Sequence, residues 1–294
     1  MILVAGMAAS GSALAAQDRP QVVTVNAALR YMAEALLADD ADVIFPVPAD
    51  VDPSFWRPAI SDISTIQSAD LILLNGAGFT TWVDRVSLPR SKTVNTSAAI
   101  EAHFIVTESI THSHGDGGEH SHEGLAAYTW LDPTLAAAQA EAMATAIKAR
   151  DLVDAGDVDA RLGALQAELA ALDEAAAETL GAATEVAMIA THPRYQYFAR
   201  RYDLQITSLE WEAGATPTAE ELSDLSALIA NTGAEVLIWE AAPTDEAMAA
   251  TAALGLRNVV FDPMARGGAE ASFIAAFGAA VEAIAEAAAG SPGN

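Results

Sequence analysis

Residues 159–180, DARLGALQAELAALDEAAAETL, contain no proline and space their apolar side chains as a helix does. The leucines share one stripe: Leu162, Leu165, Leu169, Leu172 and Leu180. At 1.5 Å per residue, such a helix is roughly 30 Å long, which is longer than the spacing between sheet layers needs. We therefore expect a connector that runs along two lobes, and the alternative is an ordinary core helix of one large domain.

The chain on both sides of this helix alternates between strand and helix patterns, as α/β proteins do. Short apolar and β-branched runs predict strands at 22–25, 43–45, 71–74, 186–190, 205–209, 236–239 and 258–261. A helix is expected to follow Pro133 and to run to about Ala149. The predicted fold is two lobes of parallel-type sheet flanked by helices, residues 21–150 and 185–290, joined by a long helix at 158–181.

The composition excludes several classes of function. With 14 basic and 40 acidic residues, the net charge of −26 repels nucleic-acid backbones and anionic lipid surfaces. The absence of cysteine excludes disulfides, thiolate zinc sites and iron–sulfur clusters.

The first 16 residues, MILVAGMAASGSALAA, form an apolar run that ends in small residues. Ala13-Leu14-Ala15 matches the A-x-A pattern of signal-peptide cleavage, and the run is too short to span a bilayer. We interpret it as an export signal that delivers a periplasmic protein. The alternative is a buried first strand or helix.

Three side chains follow predicted strands of the second half. His192 comes just after 186–190, Glu240 after 236–239 and Asp262 after 258–261. Ligands of parallel sheets bind beyond the carboxyl ends of the strands, so all three side chains are expected at one edge. An imidazole and two carboxylates suit zinc, manganese or iron. The alternative is that His192 is a structural residue and that Asp262 caps a turn before Pro263.

A glycine-rich segment, THSHGDGGEHSHEG at 111–124, contains most of the histidines. They are His112, His114, His120 and His122. Neutral imidazoles beside carboxylates predict loose Zn²⁺ binding, because ordering a flexible loop costs conformational entropy. The alternative is a solvated linker of biased composition.

An ordered series of motifs spans nearly the whole chain after the signal segment. It comprises DPSFWRP at 52–58, ADL at 69–71, NG at 75–76, YTWLDP at 128–133, HP at 192–193, YFARRY at 197–202 and FDP at 261–263. In order and spacing, the series resembles the periplasmic solute-binding proteins of zinc and manganese ABC transporters, the cluster A-I family. That resemblance implies two α/β lobes joined by a rigid helix, and a membrane permease as partner.

The resemblance also implies a metal ion held in the cleft by two ligands from each lobe. His192 and Asp262 match the two positions of the second lobe, but Ser54 and Thr129 stand where the family usually has histidines. Neither hydroxyl is a good zinc ligand at neutral pH, so half of the usual site is missing. The residues expected to complete it are Glu240, Glu210, Glu212 or a loop histidine such as His122.

The resulting hypothesis is a monomeric, non-enzymatic binding protein that captures Zn²⁺, with Mn²⁺ or Fe²⁺ as alternatives, for an ABC importer. His192 and Asp262 are its first candidate ligands, followed by Glu240 and the loop histidines. A second hypothesis is a scaffold that has lost tight metal binding and binds another small ligand or a protein. A metal-dependent hydrolase ranks third, since the sequence has no H-E-x-x-H or G-x-S-x-G pattern.

Overall fold

The computed structural model describes residues 19–107, 124–268 and 271–290. The predicted signal segment at 1–16 and the His-rich loop at 112–122 lie outside the described residues. Within the described ranges, none of the helices combines the length and the apolar character that a bilayer crossing requires.

The strands form two separate parallel sheets. The strands are β1 (Gln21–Thr24), β2 (Asp42–Ile44), β3 (Leu71–Leu74), β4 (Thr93–Asn95), β5 (Val106–Thr107), β6 (Gly124–Leu125), β7 (Ala187–Ala190), β8 (Gln205–Ser208), β9 (Val236–Trp239) and β10 (Arg257–Val260). The first sheet has the order β2-β1-β3-β4, and the second has the order β10-β9-β7-β8. All neighbours in both sheets are parallel, while β5 and β6 form a small antiparallel pair. The predicted fold class is therefore confirmed.

The helices cover these sheets. They are α1 (Ala27–Leu37), α2 (Ile60–Ser68), α3 (Pro133–Lys148), α4 (Ala155–Leu180), α5 (Gln196–Tyr202), α6 (Ala219–Thr232), α7 (Asp245–Ala253) and α8 (Phe273–Ala288). α3 begins where the sequence predicts, because Asp132 accepts hydrogen bonds from the first turn and Pro133 takes the first helical position. α6 begins with the capping box formed by Thr218 and Glu221.

The long helix α4 packs against helices from both lobes. The Asp154 carboxylate accepts from the amides of Gly156 and Asp157, which starts the helix three residues before the predicted 158. Leu165, Leu169, Leu172 and Leu180 are buried, as the leucine stripe predicts. The helix contacts α1 and α3, which precede it in the chain, and also α5 and α8, which follow it. These contacts agree with a connector along two lobes.

Direct contacts hold the two sheet units together near the ends of their strands. The Trp130 indole donates from Nε1 to the carbonyl of Pro263 at 2.8 Å. The amide of Ala27 donates to the carbonyl of Ala265 at 2.9 Å. Pro263 and Ala265 come three and five residues after the end of β10, so the segment that carries Asp262 is anchored to the first lobe.

Candidate metal centre

His192, Glu240 and Asp262 lie where the sequence predicts, past the carboxyl ends of neighbouring strands. Glu240 directly follows β9, whereas His192 and Asp262 each come two residues after the last residue of β7 and of β10. Because β9 pairs with both β7 and β10 in parallel, the three strand ends open on the same edge of the second sheet. The shared edge is confirmed; the role of each side chain depends on its partners.

His192 has the orientation typical of a metal-binding histidine. Its Nδ1 lies 3.0 Å from the carbonyl oxygen of Trp211. A carbonyl oxygen only accepts, so Nδ1 carries the proton of that bond and Nε2 carries the lone pair of the neutral ring. Histidine ligands of metals commonly donate their second nitrogen to a carbonyl in this way, which fixes the ring and its tautomer.

The Asp262 carboxylate is held by the backbone of the following turn. Oδ1 accepts from the amide of Met264 at 2.7 Å. Burial raises the pKa of Asp262 above its usual value; the Met264 amide and Arg266 oppose this shift, and the negative charge of Asp52 adds to it.

The two positions at which histidines are missing are occupied by hydroxyls that already have partners. Ser54 donates to Oδ1 of Asp52 from its amide at 2.8 Å and from its Oγ at 2.6 Å. Thr129 is fully buried, and its Oγ1 donates to Oε1 of Gln139 at 2.9 Å. Both hydroxyls therefore belong to the hydrogen bonding of the first lobe.

Glu240 is engaged by a residue that sequence reasoning missed. Arg194 donates from Nε to the Glu240 carboxylate at 3.1 Å and from its second terminal nitrogen, Nη2, to Asp52 at 2.9 Å. Its guanidinium also lies 4.7 Å from the centre of the Tyr128 ring. The Arg194 side chain is only 8% exposed, and that of Glu240 is 6% exposed. Glu240 is thus the partner of an internal cation rather than a ligand open to a metal.

The charge of Arg194 is maintained inside the cleft. Burial alone lowers the pKa of this guanidinium, but Tyr128, Asp52 and Glu240 raise it above its ordinary value. The next residue, Tyr195, fixes this segment, because its hydroxyl donates to the carbonyl of Phe261. Burial raises the pKa of Tyr195 well above its usual range, so the hydroxyl keeps its proton. The Arg194 segment is therefore tied to the residue that precedes Asp262.

The described residues contain no group of three or more His, Asp or Glu side chains arranged to hold a metal ion. Glu210 and Glu212 follow β8 and are exposed. The candidate loop ligands His112, His114, His120 and His122 lie outside the described ranges. Within the described ranges, His192 and Asp262 both lie at the predicted edge of the second sheet.

Two α/β lobes, with candidate ligands at strand ends beside the cleft between them, define a bilobed solute-binding protein. The family model described as ZnuA, zinc-uptake complex component A periplasmic, matches residues 22–287. The chain belongs to this family.

Individual relatives agree with this assignment. The chain is 25% identical over 235 residues to the high-affinity zinc uptake system protein ZnuA of Bacillus subtilis strain 168, which covers 78% of this chain and 73% of that protein. It is 24% identical over 234 residues to the iron ABC transporter substrate-binding lipoprotein MtsA of Streptococcus pyogenes serotype M1, covering 76% and 73%. The crystal structure of the metal-dependent lipoprotein YcdH from Bacillus subtilis superposes with a TM-score of 0.76 at 21% identity, covering 91% of this chain and 98% of that chain.

Proposed function

We propose that this protein is the binding component of an ABC importer and captures a divalent metal ion in its cleft. The observation that supports this proposal is the His192 ring, whose Nδ1 lies 3.0 Å from the Trp211 carbonyl oxygen, an arrangement that histidine ligands of metals commonly adopt. The second ligand in this proposal is Asp262, which follows β10, and β9 separates β10 from β7. Family membership and the names of the relatives support metal transport. The second hypothesis, a scaffold that has lost tight metal binding, is therefore not favoured.

Zinc is the first cargo we propose, with Mn²⁺ or Fe²⁺ as alternatives. One relative is named for zinc and another for iron, and a shell of histidine and carboxylate suits all three metals. Two protein ligands bind zinc weakly, because tight sites have three or four. His112, His114, His120 and His122 are proposed as secondary donors.

In this proposal the lobes comprise residues 21–150 and 185–290, the helix at 158–181 links them, and segment 1–16 directs export to the periplasm. The protein acts as a monomer that delivers its cargo to a membrane permease. The family model describes a periplasmic component of an uptake complex, which supports that location and that kind of partner.

Calorimetric titration of the chelator-stripped full chain with ZnCl₂ tests the function. We expect uptake at micromolar zinc and a loss of at least tenfold in affinity for His192→Ala, which corresponds to about 1.4 kcal/mol. His103→Ala is the matched control, because His103 is exposed in the first lobe and its carbonyl, not its ring, accepts from Arg200.

A second variant with all four loop histidines changed to alanine separates the contributions of the loop and of the cleft. The part of the affinity that depends on His192 should persist in that variant. An absence of zinc uptake by the parent at micromolar concentrations, or an unchanged affinity in His192→Ala, would contradict the proposal.

A further inference from the structure

A segment of the first lobe, residues 45–59, extends to the second lobe between β2 and α2. Near its start it packs against the loop that follows β10. A Cβ built on Gly267 would lie 3.2 Å from the Phe45 ring, and one on Gly268 would lie 3.3 Å from the Cβ of Ala49. Both distances are shorter than ordinary van der Waals contact, so the two glycines allow the 45–59 segment to lie close to this loop.

The middle of the 45–59 segment is joined to the second lobe by an enclosed ion pair. Arg194 donates from Nη2 to the Asp52 carboxylate at 2.9 Å, and the two side chains are 8% and 16% exposed. The Phe55 ring lies with its centre 5.7 Å from the same guanidinium. Glu240 accepts from Nε of Arg194 at 3.1 Å and so fixes the arginine on its own lobe. Charge-assisted hydrogen bonds that are shielded from water are strong ones.

The backbone of the 45–59 segment forms local turns. The amide of Val51 donates to the Pro48 carbonyl, and the amide of Phe55 donates to the Asp52 carbonyl. These bonds shape the segment without joining it to a sheet. Its position over the second lobe therefore depends on side-chain contacts, among which the ion pair is the one that carries charge.

We infer that the 45–59 segment is a lid over the cleft, and that the ion pair of Asp52 with Arg194 is the latch that keeps it closed. The contacts of the lid fall in segments 192–194 and 262–268, which also carry the candidate ligands. Lids of binding sites open locally while the rest of the protein stays folded. The inference does not depend on the proposed function, because it holds for any ligand that enters the cleft.

Hydrogen exchange followed by mass spectrometry tests the latch in metal-free protein. Asp52→Asn keeps one oxygen to accept from Ser54 and replaces the other with an NH₂ group, which cannot accept from Arg194. We expect peptides from the 45–59 segment to exchange at least tenfold faster in this variant than in the parent. Peptides from α1 should exchange at the parent's rate, because the opening is local.

Glu240→Gln is the matched control, since it makes the same carboxyl-to-amide change in the other partner of Arg194. The glutamine oxygen can still accept from Nε, and the bond to Asp52 remains. Exchange in the 45–59 segment should therefore stay within twofold of the parent. Arg194→Gln removes the latch from the side of the second lobe and should accelerate exchange in the lid as Asp52→Asn does.

Equal exchange of the lid in Asp52→Asn and in the parent would overturn the inference. An equal acceleration in Glu240→Gln would also overturn it, because the loss of an enclosed charge would then explain the result without a latch. Should Asp52→Asn fail to fold, thiol labelling replaces it. The chain has no cysteine and Val47 is 7% exposed, so Val47→Cys places a single buried thiol in the lid. Its labelling should be at least tenfold faster when Arg194→Gln is added, and an unchanged rate would contradict the latch.

Discussion

Glu240→Met should lower the free energy of unfolding of the metal-free protein by about 3 kcal/mol, because removing one partner of a buried ion pair leaves the other charge uncompensated. The pair is well enclosed: Nε of Arg194 and the Glu240 carboxylate are 3.1 Å apart, and the side chains are 8% and 6% exposed. Asp52 remains as a second partner for Arg194, which places the expected loss at the low end of the range of about 3–5 kcal/mol for such changes.

The double variant Arg194→Met/Glu240→Met is the matched control. It removes both charges of this pair and fills the space with flexible apolar side chains, a change that is often neutral or stabilising, while Asp52 keeps its hydrogen bonds from Ser54. We therefore expect it to be more stable than Glu240→Met alone, with a coupling of about 1.5 kcal/mol or more. Urea unfolding followed by tryptophan fluorescence in the presence of a chelator measures the double variant and the two single variants, Glu240→Met and Arg194→Met. A double variant whose loss equals the sum of the two single losses would show that the pair is not coupled.

The strands that precede the candidate ligands could be predicted from their apolar runs, most clearly where the strand is buried on both faces. Val236–Trp239 is entirely buried, and strands of this kind appear in a sequence as continuous apolar runs. The parallel connection between β7, β9 and β10 then brings their following residues to one edge, as predicted. Local pattern and chain topology suffice for this part of the site.

Elements with little burial escaped prediction. α2 has only Ile66 among its buried residues and is otherwise polar or β-branched, so its helical period is weak in the sequence. The β5–β6 pair has two residues in each strand, which is too short for any alternation to be visible. Both are stabilised by their surroundings more than by their own pattern.

Arg194 shows why the chemistry of the cleft could not be predicted completely. The sequence places an arginine two residues after His192, but its partner Asp52 is 142 positions away in the chain. An arginine in a loop is normally exposed, and only the tertiary structure shows that two carboxylates and an aromatic ring enclose this one. Glu240 was predicted at the correct edge of the sheet, but its ion pair with Arg194 was not, and that pair engages its carboxylate.

Trp130→Ala is expected to lower the free energy of unfolding by about 4 kcal/mol, which is typical of a large aromatic side chain removed from a core. The indole is fully buried, with ring centroids 5.1 Å from Phe79 and 4.9 Å from Tyr128. Unfolding in urea measures the loss. If the free energy of unfolding falls by less than about 2 kcal/mol, the surrounding rings collapse into the space, which contradicts a rigidly packed cluster.

Trp130→Phe separates the hydrogen bond from the packing, and Trp82→Phe is its matched control. Trp130→Phe leaves the buried carbonyl of Pro263 without its donor, at an expected cost of about 2 kcal/mol. Trp82 is also buried, and its Nε1 has no acceptor among the described residues, so removing this nitrogen should cost markedly less. Because Pro263 directly follows Asp262, the Trp130 bond also fixes that ligand relative to the first lobe. Trp130→Phe should therefore weaken zinc uptake while Trp82→Phe leaves it unchanged, and equal effects of the two variants on stability and uptake would contradict this coupling.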